Sequence, residues 1–533
     1  MIYTSGMAIL YLPFFLIGHV WAKLGGYPTD GFSYPYQFCV SSGMMIYVLV
    51  GIFFLRKILL KFYSERTTSI TIIIIALGTN YLREAIDYNM GPHAVLFSIY
   101  ALLLFYTIKW HEQPTKKFVS IIGLSIGFLT LIRPTEIICI FIPLLWGIHD
   151  KNSLKEKLTL LKSKTKDLAL LVLMIFLVGL PQLIYWKYQT GSFFYNSYWN
   201  QNSFDITESH FLKVFFSIRK GWWFYTPLIT LAFIGCFYLK SDKLKNVRLS
   251  IFVFILLNVF ILTHVPVWHN AGSFGQRFMV QSYAMLSIPL GAFIHNISNR
   301  NNFIKLGMGI IILLLIILNL FQTWQFVRWI LPGDGITWSF YKHSFLKTTP
   351  MTKDDLGLLE LQRTFDPLEK FDETNPLYKK HTVAFFNMED PNRSEINKVC
   401  LDTTYSKSGN YCCLLSKECE FSPVISKPYS HITDKDHAWL KFSVWFYPII
   451  DTKDYAAEIV IHFMHNGKPY QYWGYPIAAA DYKLNEWNKY TIYYLSPLLQ
   501  NEDDEVRAYV WYKSGNTPLY IDDIQIDAFD KKE

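Results

Sequence analysis

The near-continuous apolar runs of this chain decide most of what it can fold into. Ile122–Ile132, Leu168–Leu183, Ile251–Leu262 and Ile304–Leu320 hold one charged residue between them, Lys305. Runs of this kind approach or exceed the roughly 20 apolar residues that cross a bilayer as a helix. Composition agrees: 51% of the 533 residues are hydrophobic and only 17% are charged. From about Gly333 the sequence turns polar and offers no further span. The expectation is a polytopic α-helical membrane domain over 1–325, a linker with a helical piece over 326–380, and an all-β domain over 381–533.

Met7–Ala22 is short and carries Pro13, so it reads as an interfacial or re-entrant opening helix. Met1–Thr4 has no basic leader, and residues upstream of Met1 are expected in the natural protein. About ten spans follow, near 38–60, 69–82, 91–109, 118–132, 135–149, 167–187, 222–239, 249–265, 277–297 and 304–324. Alternate loops are rich in Lys and Arg: Arg56 to Arg66, Lys109 to Lys117, Lys151 to Lys166, Lys240 to Arg248, and Arg300 with Lys305. The positive-inside bias assigns these to the cytoplasm and the tail to the outside, as in a bacterial plasma-membrane protein. The net charge of +8 therefore reports topology, not nucleic-acid binding. Lys151–Lys166 puts Leu154, Leu158 and Leu161 on one helical face, suiting a helix that lies on the inner surface.

The opposite side collects the chemistry. The hairpin Asn80–His93 (NYLREAIDYNMGPH) holds an Arg, a Glu, an Asp and a His between two apolar runs. Ionisable groups at such depth are costly and mark a polar cavity. Glu84 and Asp87 lie three apart and share a helical face, suited to a divalent cation or to acid–base work. His93 follows Gly91-Pro92 at a helix start, as a ligand or as a capping residue. Arg133 and Glu136 in Arg133-Pro134-Thr135-Glu136 either pair with each other or leave Arg133 for a phosphate. Gly191–Tyr198 is aromatic and amide-rich, suited to sugars or to the membrane interface. Arg219 and Lys220 precede a span on the side that the bias leaves poor in cations, and can hold a phosphate. In Trp268–Arg277, Gly272 and Gly275 permit close backbone approach, and Gln276 and Arg277 end a span facing the same cleft, with snorkelling as the bland reading of Arg277. A transporter would gather polar groups near the midplane in two similar halves, and no internal repeat is found.

The tail shows alternating strands at Lys441–Phe446, Glu458–Met464, Tyr490–Tyr494, Arg507–Trp511 and Leu519–Ile526, with a turn at His465-Asn466-Gly467. This predicts an antiparallel sandwich. Exposed Tyr470, Tyr472, Trp473 and Tyr475 can stack on sugar rings or pack internally. Cys400, Cys412, Cys413 and Cys419 allow one or two disulfides, with pairing open; Cys39, Cys139 and Cys236 read as apolar span residues. The layout resembles the jelly-roll carbohydrate-binding-module type. That resemblance implies structural Ca²⁺ near Glu389, Asp522 and Asp523, against plain surface acids.

The membrane part resembles the C-type (GT-C) polytopic glycosyltransferases, the superfamily of protein O-mannosyltransferases and aminoarabinose lipid A transferases. The features that carry it are Tyr3-Thr4-Ser5-Gly6, the hairpin ending Met90-Gly91-Pro92-His93, Leu131-Ile132-Arg133-Pro134 and Gly275-Gln276-Arg277-Phe278. The resemblance implies transfer of a sugar from a polyprenyl-phosphate donor to a glycan, lipid or protein acceptor outside the cytoplasm. It puts Asp87 near the active site and Arg277 near the lipid phosphate. The principal carboxylate of the superfamily sits in a first loop that would lie upstream of Met1. Its absence from this sequence sustains a second reading, a non-catalytic membrane protein presenting a glycan-binding sandwich; a transporter or flippase is the third.

Overall fold

The computed structural model describes residues 4–88, 90–195, 206, 209–265, 268–270, 272–356, 358–359, 371–393, 395–435, 437–451, 457–477, 482–497, 499, 501–513 and 517–532. The chain divides into two compact units, Met1–Glu360 and Leu361–Glu533.

The first unit is helical. Its helices are α1 (Gly6–Leu24), α2 (Tyr34–Leu59), α3 (Glu65–Leu77), α4 (Tyr81–Ile86), α5 (Pro92–Glu112), α6 (Lys116–Ile132), α7 (Phe141–Leu145) and α8 (Lys151–Ser163). There follow α9 (Thr165–Thr190), α10 (Phe211–Phe216), α11 (Trp222–Tyr225), α12 (Thr230–Gly235), α13 (Asp242–Thr263), α14 (Tyr283–Ser298), α15 (Asn302–Val327) and α16 (Trp338–Ser344). Side-chain oxygens of Ser64, Thr115, Asp150 and Asn301 accept first-turn N–H groups and so fix the starts of α3, α6, α8 and α15.

Among the described residues, seven helices are long and apolar enough to cross a membrane: α1, α2, α5, α9, α13, α15 and Arg277–Ser298, which joins a short 3-10 turn to α14. They mark an integral membrane protein. The opening helix is among them, with 19 residues despite Pro13. Four of the ten expected spans are not among them. The run 69–82 yields α3 of 13 residues and 118–132 yields α6 of 17. The run 135–149 begins in a 3-10 turn, Pro134–Ile140, that leaves only five residues to α7, and 222–239 is broken at Pro227, which lacks the N–H that a continuous α-helix needs.

Burial sorts the helices into layers. Of the apolar 18-residue window, 89% is buried in Arg277–Ser298 and 72% in α5, against 11% in α1, α9 and α15. The first two form the core, while the others turn residues such as Leu173 and Leu313 outward, as a helix apolar all round does in a bilayer. α12 packs so closely on α14 that a Cβ on Gly235 would collide with the Pro289 carbonyl oxygen.

The segment 326–380, read from sequence as a linker, divides between the units. Gln322 donates to Tyr341 at 2.8 Å and Gln325 to the Ser344 carbonyl at 2.9 Å, tying α16 to α15. Leu331, Ile336 and Phe340 form a small core with Tyr225 and Phe274. Further on, Phe371 stacks on Trp439 and belongs to the second unit. Half of the helical piece expected at Asp354–Arg363 lies outside the described residues, and its start is helical, at Lys353–Leu356.

The second unit has strands β1 (Tyr378–Phe386), β2 (Leu401–Asp402), β3 (Cys412–Leu415), β4 (Ile425–Pro428), β5 (Ala438–Pro448), β6 (Ala457–His465), β7 (Lys468–Pro476), β8 (Asn488–Leu495), β9 (Glu505–Tyr512) and β10 (Leu519–Lys531). One sheet runs β2-β3-β10-β5-β8, with β1 also on β10; the other runs β4-β9-β6-β7, all pairs antiparallel. Every strand expected from alternation falls inside one of these. In β9, Val506, Ala508, Val510 and Tyr512 are buried while Arg507, Tyr509 and Trp511 face out, the period-2 signature of a half-buried strand. Asn466 and Gly467 both have positive φ, 48° and 76°, which closes the two-residue β6–β7 hairpin. Cys400 and Cys419 form a disulfide, and Cys412 and Cys413 are free.

Candidate functional site

The hairpin between α3 and α5 is held from below. Asn80 donates to the Phe274 carbonyl at 3.2 Å and accepts from the Tyr283 hydroxyl at 2.6 Å; that hydroxyl in turn accepts from the Trp222 indole at 3.0 Å. This fixes α4 against Arg277–Ser298 and α11. On α4, Arg83 is the organiser that the spacing argument overlooked. Its Nη1 lies 2.6 Å from Glu84 Oε1 and its Nε 3.3 Å from Asp87 Oδ2. Its guanidinium also covers the rings of Tyr88 and Phe326, at 4.8 and 4.9 Å. Glu84 and Asp87 thus share one cation between them. Glu84 is buried, and burial pushes its carboxyl up; Arg83 and Arg277 oppose this without reversing it. Asp87 is 38% exposed at its side chain and is the accessible carboxylate of the pair.

A second arginine group shares one ring. Arg133 lies 4.0 Å and Arg277 5.5 Å from the Phe278 centroid, and the His93 ring is 5.3 Å away. Arg133 makes the contact with Glu136 that its spacing allows, at 3.3 Å. Glu136 is itself buried and accepts from Tyr100 at 2.6 Å and Gln281 at 2.9 Å, so it acts as a fixed anchor. Arg277 makes no ion pair among the described residues, and its Nε has no hydrogen-bond partner there, yet it lies in electrostatic range of Glu84, Tyr88, Arg83 and Arg133. His93 is buried with an unpartnered Nδ1. The structure therefore gathers Glu84, Asp87, His93, Arg133 and Arg277 around Arg83 and Phe278.

The remaining sequence candidates form the wall behind this group. Arg219, expected as a phosphate ligand, is engaged bidentately by Asp334, at 2.8 and 3.0 Å, with His269 3.3 Å from the same carboxylate. Burial raises the Asp334 carboxyl, but His269 and Arg219 beside it outweigh this, and the net shift is well downward. Lys220, also expected to face a phosphate, is buried and donates to the carbonyls of Ser273 and Gly333. Burial lowers its ammonium to about 7, with Asp334 opposing. Gly272 does permit close approach, but to the chain itself: its N–H donates to Gly333 at 3.0 Å, and a Cβ on Gly333 would meet Gly272 Cα at 2.9 Å. Gly272 also accepts from Arg83 at 3.4 Å, which joins the wall to the arginine group. Gln276 is fully buried, donating to the Trp268 carbonyl at 3.0 Å and accepting from Asn270 at 3.3 Å. Arg219, Lys220 and Gln276 are thus loop fasteners. Asp334 escaped the sequence reading because Pro332-Gly333-Asp334-Gly335 looks like an ordinary turn. Of Gly191–Tyr198, residues 196–198 lie outside the described residues.

The acids read as a calcium set hold a loop through its backbone. Glu389 Oε1 accepts from Asn410 N at 2.8 Å and Tyr411 N at 2.7 Å. Asp522 accepts from Lys407 N at 2.9 Å, Ser408 N at 3.2 Å and Asp523 N at 2.8 Å, and Asp523 accepts from the Ser408 hydroxyl. These bonds engage Glu389 Oε1, Asp523 Oδ1 and both oxygens of Asp522. The one cluster of three metal-type ligands among the described residues is Cys400, Cys413 and Cys419, two of which are joined as the disulfide. Of the aromatics picked out on β7, Tyr475 is core and Tyr470 donates to Asp504 at 2.7 Å, while Tyr472 and Trp473 are exposed.

No family model and no curated protein matches the chain. The similar solved structures include two at low scores. The arabinosyltransferase EmbB from Mycobacterium smegmatis aligns over 99% of this chain and 64% of its own, at 10% identity and TM-score 0.26. This chain thus spans just under two thirds of that protein. The CBM22-1 xylan-binding domain of Xyn10C from Paenibacillus barcinonensis aligns over 29% of this chain and 97% of its own, at 12% identity and TM-score 0.21. With both scores below 0.5, the functional reading rests on the side-chain geometry of this chain alone.

Proposed function

We propose that the helical unit is a membrane glycosyltransferase that moves a sugar from a polyprenyl-phosphate carrier to a glycan, lipid or protein acceptor. The observation that carries the reading is the arginine group. Arg83, Arg133 and Arg277 converge where α5 and the Arg277–Ser298 helix begin, and Arg277 has no carboxylate partner among the described residues. A guanidinium held on an aromatic ring without an anion suits a phosphate that arrives with the substrate. In the reaction we infer, an acceptor oxygen attacks the anomeric carbon and loses its proton to a carboxylate. The bond from that carbon to the phosphate oxygen breaks, and the phosphate leaves with the electron pair, stabilised by Arg277 and Arg133. Asp87 is our choice of base within this sequence; a carboxylate outside it is the other candidate. Glu84 and Asp87 are engaged by Arg83, and no step is routed through a metal.

The test is transfer of labelled sugar from a polyprenyl-phosphate donor in membranes containing the full chain. Arg277→Ala is expected to lower the rate by about 10²-fold or more, the loss typical of removing one charge-stabilising donor. Asp87→Asn is expected to lower it comparably, and wild-type rates in both variants sink the proposal.

A second reading has its own observation. On the outer face of the four-stranded sheet, Tyr472, His462 and Arg507 sit side by side, and Trp511 stacks on Phe421 at 11° between planes, beside Tyr509. A flat aromatic face edged by polar groups suits sugar rings, and the sandwich would then serve as a glycan-binding module. Trp511→Ala and Tyr472→Ala should weaken polysaccharide binding by the full chain and leave transfer untouched; unchanged binding in both removes this reading.

A further inference from the structure

A cleft of about 630 Å³ opens between the start of α8 and the middle of α13, away from the arginine group. Its floor is Leu249, Phe252, Val253 and Leu256; its rim carries Lys151 and Arg248. The volume lies within the range of small-molecule sites, roughly 300–1,000 Å³. Phe252 and Leu256 are 63% and 64% exposed, so this floor lies open along the flank of a helix long and apolar enough to cross the bilayer. Both rim cations are exposed, and neither makes an ion pair or hydrogen bond among the described residues. The acid at the rim, Asp150, is already occupied: it caps α8 by accepting Ser153 N at 2.8 Å and lies 3.6 Å from His149.

The helix beside the cleft adds an independent observation. α8 is fastened to the unit through buried Lys157, which donates to the Pro143 carbonyl at 2.8 Å and the Trp146 carbonyl at 3.1 Å. Leu154 and Leu158 on the same helix remain exposed, among Lys151, Lys155 and Lys162. An amphipathic helix with uncovered leucines and a basic polar face lies in the head-group layer of an anionic leaflet. The cleft therefore meets the acyl-chain region along α13 and the head-group region at the start of α8.

We propose that this cleft binds an anionic glycerophospholipid, with its phosphate between Arg248 and Lys151 and an acyl chain along Leu249, Phe252, Val253 and Leu256. The charge pattern selects the occupant: two unneutralised cations stand above an apolar floor. The proposal does not depend on the transferase reading, because none of these residues belongs to the arginine group. It is tested with the full chain in nanodiscs of phosphatidylcholine doped with phosphatidylglycerol, followed by native mass spectrometry of the retained lipids. Phosphatidylglycerol is expected to be retained about tenfold over phosphatidylcholine, the scale set by two cations at a membrane surface. The double variant Lys151→Gln with Arg248→Gln should bring the ratio close to one. Lys162→Gln with Lys305→Gln removes equal charge elsewhere on the basic loops and should leave the ratio in place. Val253→Trp fills the floor without changing charge and should reduce retention of the bound lipid severalfold. Equal retention of the two lipids by the unmutated protein overturns the proposal. So does a preference erased equally by the control pair, or full retention in Val253→Trp.

Discussion

Asp334 shows what a single residue does in this unit. It neutralises Arg219, orients His269, and fixes the loop that Lys220 fastens from the other side. Asp334→Asn would leave the Arg219 charge partly buried and half satisfied. The expected loss is about 1–3 kcal/mol of stability in the helical unit, read as a lower midpoint in detergent. The pH dependence has a definite sign. The folded carboxyl titrates below its unfolded value of about 3.9, so its contribution is fully present above that pH and declines as pH falls further. The midpoint of the unmutated protein should drop more steeply below about pH 4 than that of Asp334→Asn; parallel curves would count against the pairing. Arg219 and Lys220 were visible in the sequence as out-of-place cations, but not their partners. The ion pair joins positions 115 residues apart, and no local spacing encodes such a contact.

At the scale of elements, the apolar runs located the helices and their lengths measured poorly. Composition reports where a chain avoids water; it does not say whether the backbone stays α-helical throughout. Pro227 interrupts one of the runs, and the α12 segment after it is held by contact with α14 at Gly235 instead of by its own length. Gly235→Val should therefore be disproportionately disruptive, costing about 1–3 kcal/mol or more, because the obstructing atom is a backbone oxygen that cannot rotate aside. A thermal midpoint unchanged from wild type would show that the two helices can separate without penalty. The strands were legible in more detail, since alternation, turn residues and sheet register all carry the same period of two.

For the whole molecule, the Lys and Arg bias makes a prediction about sides that two units described separately leave open. Substituted cysteines at Lys155, Lys213 and Lys468, all exposed, should divide under an impermeant maleimide in intact cells. Lys213→Cys and Lys468→Cys are expected to label from outside, and Lys155→Cys only after permeabilisation. Labelling of all three from one side would reverse the assignment of the basic loops. The candidate site was legible as a list of residues on one side of the chain, and the structure regroups that list. The hairpin acids, Arg133 and Arg277 come together, whereas Gln276, Arg219 and Lys220 serve as fasteners.

The Cys400–Cys419 bond encloses β2 and β3, the strands that complete the edge of the six-stranded sheet. Such a bond forms and persists where thiols are oxidised, so its presence in cells is a prediction, read by mass spectrometry of the tail with and without reductant. Heterologous production that retains the tail in a reducing cytosol would then yield helices of normal hydrophobic character with the second unit unstapled at its sheet edge, and loss of function in such material would report on the host compartment and not on the arginines.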